Sequence, residues 1–359
     1  MRALTAAVRP GLVRSHVHVA LGTRARNRAD IIEVGTEVDS LGFGGLWVTE
    51  SSSRDAFTLL TELALKTSHV ELGTGIVNHY GRTPSTLAMA AASVAEIIPG
   101  RAVNLGLGAS SRTVIEGFHG VPFEQPARRM SEAIDIIRAA AAGQPMDHQG
   151  RIFRLDPRFK LEFAGSGEVR ILVAALSPAM LAIVGQQADG WLPIWPSRSR
   201  FGNLLVKVEE AAAQAGRPRP WVASYLYAYI GDQAQGAAAL RRILARYVAA
   251  SGAAYTALFR SYGYDAEVDE VLAAWADGDR ARTSAAISDD MLADFCIIGD
   301  GESAARQLAG FRQSGIDTPI IRVPDGLEKE EMLTMIRSLA AALPAERTLP
   351  AERPAPVDA

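Results

Sequence analysis

Cysteine is nearly absent from this 359-residue chain. Cys296 stands alone, so no disulfide can form within the chain and no zinc site can be built on thiolates. Long apolar runs are missing as well. None approaches the roughly 20 residues that cross a bilayer. Arg9, Pro10 and Arg14 interrupt the weak apolar patch near the start, which argues against a signal peptide. Charge is nearly balanced: Lys and Arg number 37, Asp and Glu 40. The net charge of −3 gives no electrostatic reason to expect nucleic acid or an anionic membrane as partner. Catalytic signatures are absent too. There is no G-x-S-x-G, no H-E-x-x-H, and no G-x-G-x-x-G after the first predicted strand, where the chain reads GTRARNRAD. What these absences leave is a cytoplasmic protein working on a small molecule.

What is present alternates between two periods. Hydrophobic residues make up 48 % of the chain, ample for a sizeable core. His16–Leu21 predicts a first strand, and Asp30 reads as the N-cap of a helix over Ile31–Leu41 that Gly42 stops. Leu46–Val48 and the helix Ala56–Thr67, capped by Asp55, repeat the unit. In the stretch 70–111, apolar runs Val70–Val77 and Ala102–Leu107 flank a helical pattern from Pro84 to Ile98. That is the spacing of a βαβ crossover between parallel strands. Further strands are expected at Arg170–Leu176, Trp191–Ile194, Trp221–Ile230 and Pro319–Val323, with helices at Ser131–Ala142, Pro178–Ala188, Phe201–Ala215, Ala234–Val248, Ser303–Gln313 and Glu328–Ala342. About eight strand–helix units without a composition break predict a single (β/α)₈ TIM barrel domain over 1–347. Insertions are expected near 112–130, 143–169 and 250–295, and a disordered tail at 348–359. An open doubly wound sheet is the alternative; the missing G-x-G-x-x-G is evidence against it.

In such a barrel the active site lies at the carboxyl ends of the strands. Those ends carry few titratable groups: Glu50, His79, Tyr80, Arg198 and the tyrosines Tyr225, Tyr227 and Tyr229, which alternate along one strand as a substrate wall or as core. Mostly they carry Gly, Ala and Ser. No carboxylates pair as in a glycosidase. His16 and His18 share one face of the first strand, but no third metal ligand is evident, so no metal is expected. A mouth this poor in ionisable groups suits a bound cofactor that brings its own reactivity; plain tight turns would look the same.

Five segments in order resemble the bacterial luciferase-like superfamily, particularly the branch using the deazaflavin coenzyme F420, such as methylenetetrahydromethanopterin reductase. They are GGLWVTESSSRDAFTLLTELALKTSHVELGTGIVN at 44–78, RTPSTLAMAAASVAEIIPGRAVNLGLGAS at 82–110, GVPFEQPARRMSEAIDIIRA at 120–139, ILVAALSPAMLAIVGQQADGWL at 171–192 and IIGDGESAARQLAGFRQSGID at 297–317. The resemblance implies a barrel with F420, or alternatively FMN, across its carboxyl end. It implies cofactor contacts from Thr49, Gly75, Ile76, Val77, Asn78, Gly108, Ala109, Ser110, Ser111, Ala174, Ala175, Ser177, Ile194 and Trp195. It also implies a non-proline cis peptide at Gly75–Ile76 as a shelf behind the ring, and places Arg198 near a residue that binds substrate phosphate in sugar-phosphate-oxidising relatives.

Two departures matter. Deazaflavin dehydrogenases carry a His just after the second strand, where this chain reads Thr49-Glu50-Ser51-Ser52-Ser53, and an acid after the fourth, where it has Ser111. Glu50 and His79 are the candidate substitutes for proton transfer. Reduction of a C=C or C=N bond, or FMN-dependent monooxygenation, is therefore open, as is a barrel that binds flavin without catalysis. The expected partners are a small-molecule substrate and a second copy of the chain, with a flavin reductase only if FMN is the cofactor.

Overall fold

The computed structural model describes residues 12–24, 26–163, 167–344 and 346–347; the first eleven residues and the expected tail at 348–359 lie outside the described residues. Eight strands form the centre: β1 (Leu12–Leu21), β2 (Phe43–Val48), β3 (Glu71–Thr74), β4 (Ala102–Gly108), β5 (Glu168–Val173), β6 (Gly190–Trp191), β7 (Trp221–Ile230) and β8 (Thr318–Arg322). Each pairs in parallel with the next, and β8 pairs with β1. The sheet thus closes into a (β/α)₈ barrel, and the open-sheet alternative is excluded.

Parallel neighbours require crossovers, and helices supply them because the sequence starts them well. Asp55, Thr83, Asp232 and Asp300 each accept a hydrogen bond from a first-turn amide. Two expected boundaries move. The first helix, Arg28–Ser40, is capped by Asn27, whose side chain accepts from the Asp30 amide. An acid is favourable at a cap and in the first turn alike, so composition alone did not separate the two positions. The helix expected from Ser131 begins at Pro126, in the first turn where proline's missing N–H costs nothing.

The insertions have their own structure. Residues 148–155 form a two-stranded hairpin, pinned by Glu132, whose carboxylate accepts from the amides of Arg151, Ile152 and Phe153. Between β7 and an additional strand, Cys296–Gly299, lie the helix Gln233–Ala250 and four shorter helices, Ala253–Ser261, Asp265–Ala276, Arg280–Ala285 and Asp289–Phe295. The additional strand then pairs with the upper half of β7.

Strand alternation makes two apolar layers. Outward-facing Val, Ile and Leu pack under the helices. Inward-facing Ala20, Trp47, Leu172, Leu192, Ala223, Tyr225 and Ile320 fill the barrel. Toward the amino ends of the strands the interior is polar and paired. Arg170 meets Glu71 at 2.8 Å, Asn104 donates to Glu71 at 2.9 Å, and Trp47 Nε1 donates to His18 Nδ1 at 3.0 Å. Among the described residues no helix is long and apolar enough to cross a membrane.

Candidate active site

On one side the mouth is made largely of backbone. The Gly75–Ile76 peptide is cis, as the resemblance implied. Tyr225 Oη reaches across the barrel and donates to the Gly75 carbonyl at 3.0 Å. A Cβ on Gly75 would lie 1.4 Å from that hydroxyl oxygen, so only glycine admits the tyrosine. Beyond it Val77 and Asn78 pair with Leu107 and Gly108. A Cβ on Gly108 would come within 2.7 Å of Ile76 Cδ1. Ile76, Ala174 and Ile194 stay half-buried among fully buried neighbours. Together with the bare edge of Gly108 they form an apolar floor whose side-chain-free approach fits a flat ring.

The titratable groups beside this floor are engaged elsewhere. Glu50 grips Arg82 through both oxygens, at 2.7 and 2.8 Å, and accepts from the Ala56 amide at 2.9 Å. Arg82, which also pairs with Asp55, is held firmly protonated, chiefly by its bond to Glu50. His79 is fully buried and donates from Nδ1 to the Gly108 carbonyl at 2.9 Å. Burial lowers its pKa to about 4, more than the Gly108 carbonyl raises it, so the ring is neutral. Its Nε2 has no hydrogen-bond partner among the described residues. Of the two residues expected to replace the missing acid, Glu50 thus clamps a helix start and His79 braces the end of β4. Asn78 likewise turns away from the floor. It accepts from the amides of Tyr80 and Gly81 at 3.1 and 2.6 Å and donates to His119 at 3.0 Å, which fixes its loop.

The remaining rim residues are small. The Thr49 carbonyl accepts from Thr23 at 3.1 Å. Ala109 leads into Ser110, which is exposed with a left-handed φ of 60°. Ser111 caps the helix Arg112–Gly117 through the Val114 amide. Ala175 is buried, and its carbonyl accepts from Trp191 at 3.1 Å. Ser177 occupies the N-cap of Pro178–Gln187 yet makes no capping bond, which leaves its exposed hydroxyl at the rim.

The opposite side is crowded with rings. Trp195 is buried, holds a left-handed φ of 57°, and stacks on Tyr227 with centroids 4.6 Å apart. Its Nε1 has no partner among the described residues. Tyr247 meets Trp195 edge-on at 5.1 Å and Tyr255 packs on Tyr247 at 5.3 Å. Asp294 holds the loop that follows Trp195, accepting from Ser197 Oγ, the Ser199 amide and Tyr264 Oη at 2.5, 2.9 and 3.1 Å. Arg198 points away from the mouth. Its guanidinium lies 4.6 Å from the Phe311 ring and donates to the Cys296 carbonyl at 3.2 Å. The phosphate role expected for Arg198 is therefore corrected, because the additional strand at 296–299 draws that side chain onto the outer helix. Sequence reasoning passed over Arg322, although it follows inward-facing Ile320 by two residues. Tyr247, on the expected helix Ala234–Val248, and Tyr255, in the expected insertion 250–295, gave no signal, since neither segment was placed relative to the mouth.

A closed parallel barrel with an apolar floor at the carboxyl ends of its strands defines a (β/α)₈ barrel of the enzyme kind, and its relatives are oxidoreductases. The chain belongs to the luciferase-like monooxygenase family, whose model matches residues 11–318. It is 30 % identical to the 5,10-methylenetetrahydromethanopterin reductase of Archaeoglobus fulgidus over 82 % of this chain and 90 % of that protein. The coenzyme F420-dependent tetrahydromethanopterin reductase of Methanopyrus kandleri superposes with a TM-score of 0.79 at 21 % identity, covering 93 % of this chain and all of that one. The oxygenating constituent of 3,6-diketocamphane monooxygenase from a Pseudomonas putida plasmid, solved with FMN, shares the fold with a TM-score of 0.64 at 16 % identity, covering 93 % and 98 %.

Proposed function

We propose that this chain is a cytoplasmic coenzyme F420-dependent oxidoreductase that acts on a small organic substrate lying over the exposed face of the deazaflavin. The observation that carries this reading is the apolar floor at Ile76, Gly108, Ala174 and Ile194, beside which Glu50 is held by Arg82 and His79 is buried and neutral. The identity with a methylenetetrahydromethanopterin reductase supports it. Once bound, the deazaflavin supplies hydride chemistry at C5. The protein's own part is orientation and exclusion of water: Ile76 backs the ring, Trp195 and Tyr227 wall the substrate side, and the hydroxyls of Ser110, Ser111 and Ser177 hold a phosphate at the rim.

Titration of the purified protein with oxidised F420 and, separately, with FMN tests the proposal. Absorbance should show F420 binding near micromolar and no FMN binding. FMN binding, with oxygen consumed when the reduced flavin is supplied, would move the chain to the monooxygenase reading, which the fold of the FMN-bound relative favours. Affinity for neither would leave a non-catalytic barrel. The same proposal pairs two copies of the chain. Leu65 and Met89 are exposed on the adjoining helices Ala56–Lys66 and Pro84–Ile97, and light scattering should report a dimer.

A further inference from the structure

Arg322 has no role in the reading above, yet it is only 6 % exposed at the carboxyl end of β8. Its register partners are Ala20 on β1 and Tyr227 on β7. It follows by two residues Ile320, which packs inside the barrel with Ala20 and Tyr225. Period-two alternation therefore aims the guanidinium into the mouth. It lies so close to the end of β1 that a Cβ on Gly22 would meet Nη1 at 2.4 Å. Tyr225, Tyr227 and Tyr247 lie around it. Tyr225 in turn holds the Gly75 carbonyl next to Ile76. Arg322 thus stands one side chain away from the apolar floor.

The cation is under-used. Of its five N–H donors, it commits one bond among the described residues, from Nη2 to Asp325 at 2.8 Å. Asp325 keeps 40 % of its side chain exposed and also faces Arg26, itself 9 % exposed. Two buried guanidiniums therefore share one partly solvated carboxylate, with Asp30 and Glu328 as further acids near Arg26. Burying a cation is unfavourable unless its charge and donors are met, and a guanidinium fork matches a carboxylate in two parallel hydrogen bonds. The surroundings suit a flat body. Trp195 and Tyr227 are stacked, the Trp195 Nε1 donor is unpaired, and the Tyr227 and Tyr247 hydroxyls lie 3.2 Å apart, so one hydroxyl hydrogen remains to be donated.

We propose that Arg322 anchors a carboxylate on the substrate, in a subsite walled by Trp195, Tyr227 and Tyr247. The substrate class is a planar aryl or conjugated carboxylic acid laid over the floor at Ile76. The reaction it undergoes rests on the oxidoreductase reading; the subsite itself does not.

Calorimetric titration with benzoate and with its neutral counterpart benzamide tests this, on the protein both without cofactor and with oxidised F420. Benzoate should bind at least tenfold more tightly than benzamide. R322M should abolish that preference while leaving F420 affinity unchanged. Equal affinities in the parent protein, binding of neither probe, or a preference that survives in R322M would each overturn the proposal. If R322M does not fold, D325N decides: it frees the guanidinium from its competing acid, so benzoate should bind several-fold more tightly, and unchanged or weaker binding refutes the anchor. Failure of F420 to bind would defeat the reaction assigned above, yet the benzoate preference of the cofactor-free protein would still report on Arg322.

Discussion

On the β3–β4 side of the mouth the chain withholds side chains, whereas on the β7–β8 side it crowds them together. The first side works through backbone. Gly75 and Gly108 leave the approach bare, and Glu50, Asn78 and the Nδ1 of His79 bond to neighbouring loops and helix starts. The second side presents Trp195, Tyr225, Tyr227, Tyr247 and Arg322, a cluster of rings beside one buried cation. The two sides meet at one bond, from Tyr225 to the Gly75 carbonyl. On the function proposed above, the contrast separates two tasks: a bare surface to accept a flat ring, and specific side chains to choose the substrate.

The largest effect should come from filling the bare side. Gly75→Ala puts a methyl where the Tyr225 hydroxyl already sits and should cost about 3 kcal/mol or more in a denaturant melt. Adding Tyr225→Ala should cost less than the sum of the two single changes, since the collision is between them; strict additivity would show that the two sides do not meet there.

Next is acid sensitivity on the same side. His79 is neutral in the fold, with a pKa near 4 against an ordinary value of 6.5. The unfolded chain takes up the proton first as pH falls. The stability that the neutral ring contributes is thus complete above about pH 6.5 and is lost as pH falls through 4, by roughly 3 kcal/mol. Melts of the parent and of His79→Gln across this range should converge toward the acid end; parallel curves would refute the buried neutral ring.

A smaller effect tests the joint alone. Tyr225→Phe leaves the Gly75 carbonyl without its donor and should cost about 1–2 kcal/mol in the same melts. An unchanged melting midpoint would show that the bond is idle. Least of all, Arg198→Ala loses a contact over Phe311 and bonds to the Cys296 carbonyl and to Gln307 Oε1, about 1 kcal/mol, and should leave ligand affinities untouched. A weakened ligand would return Arg198 to the mouth.

The bare side was largely legible in the sequence and the crowded side was not, for a physical reason. Glycines at strand ends and apolar runs of fixed period are local signals, and they placed Gly75 and Gly108 at the mouth, while the cis bond at Gly75–Ile76 came from the family resemblance. Tyr247, Tyr255 and Arg322 converge from positions far apart in the chain, and no local pattern announces such a meeting. Arg198 shows the reverse error. Its place after the sixth strand suggested the mouth, but the strand at 296–299 carries it outward. Glu50 and His79 were found in the right places, but which atoms they engage depends on Arg82, Ala56 and the Gly108 carbonyl, and distance along the chain conceals such partners.

The additional strand has a further consequence. The chain leaves β7 after Ile230 and comes back to pair with it, Ile230 opposite Gly299, the Gly231 amide donating to the Gly299 carbonyl at 2.9 Å. The whole excursion between them therefore begins and ends within one hydrogen bond. It behaves as a cassette with adjacent ends, and Tyr247 and Tyr255 both ride on it. A lineage, or an engineer, could exchange that cassette for another of different length without reopening the barrel, and so replace the ceiling of the site while the floor stays as it is.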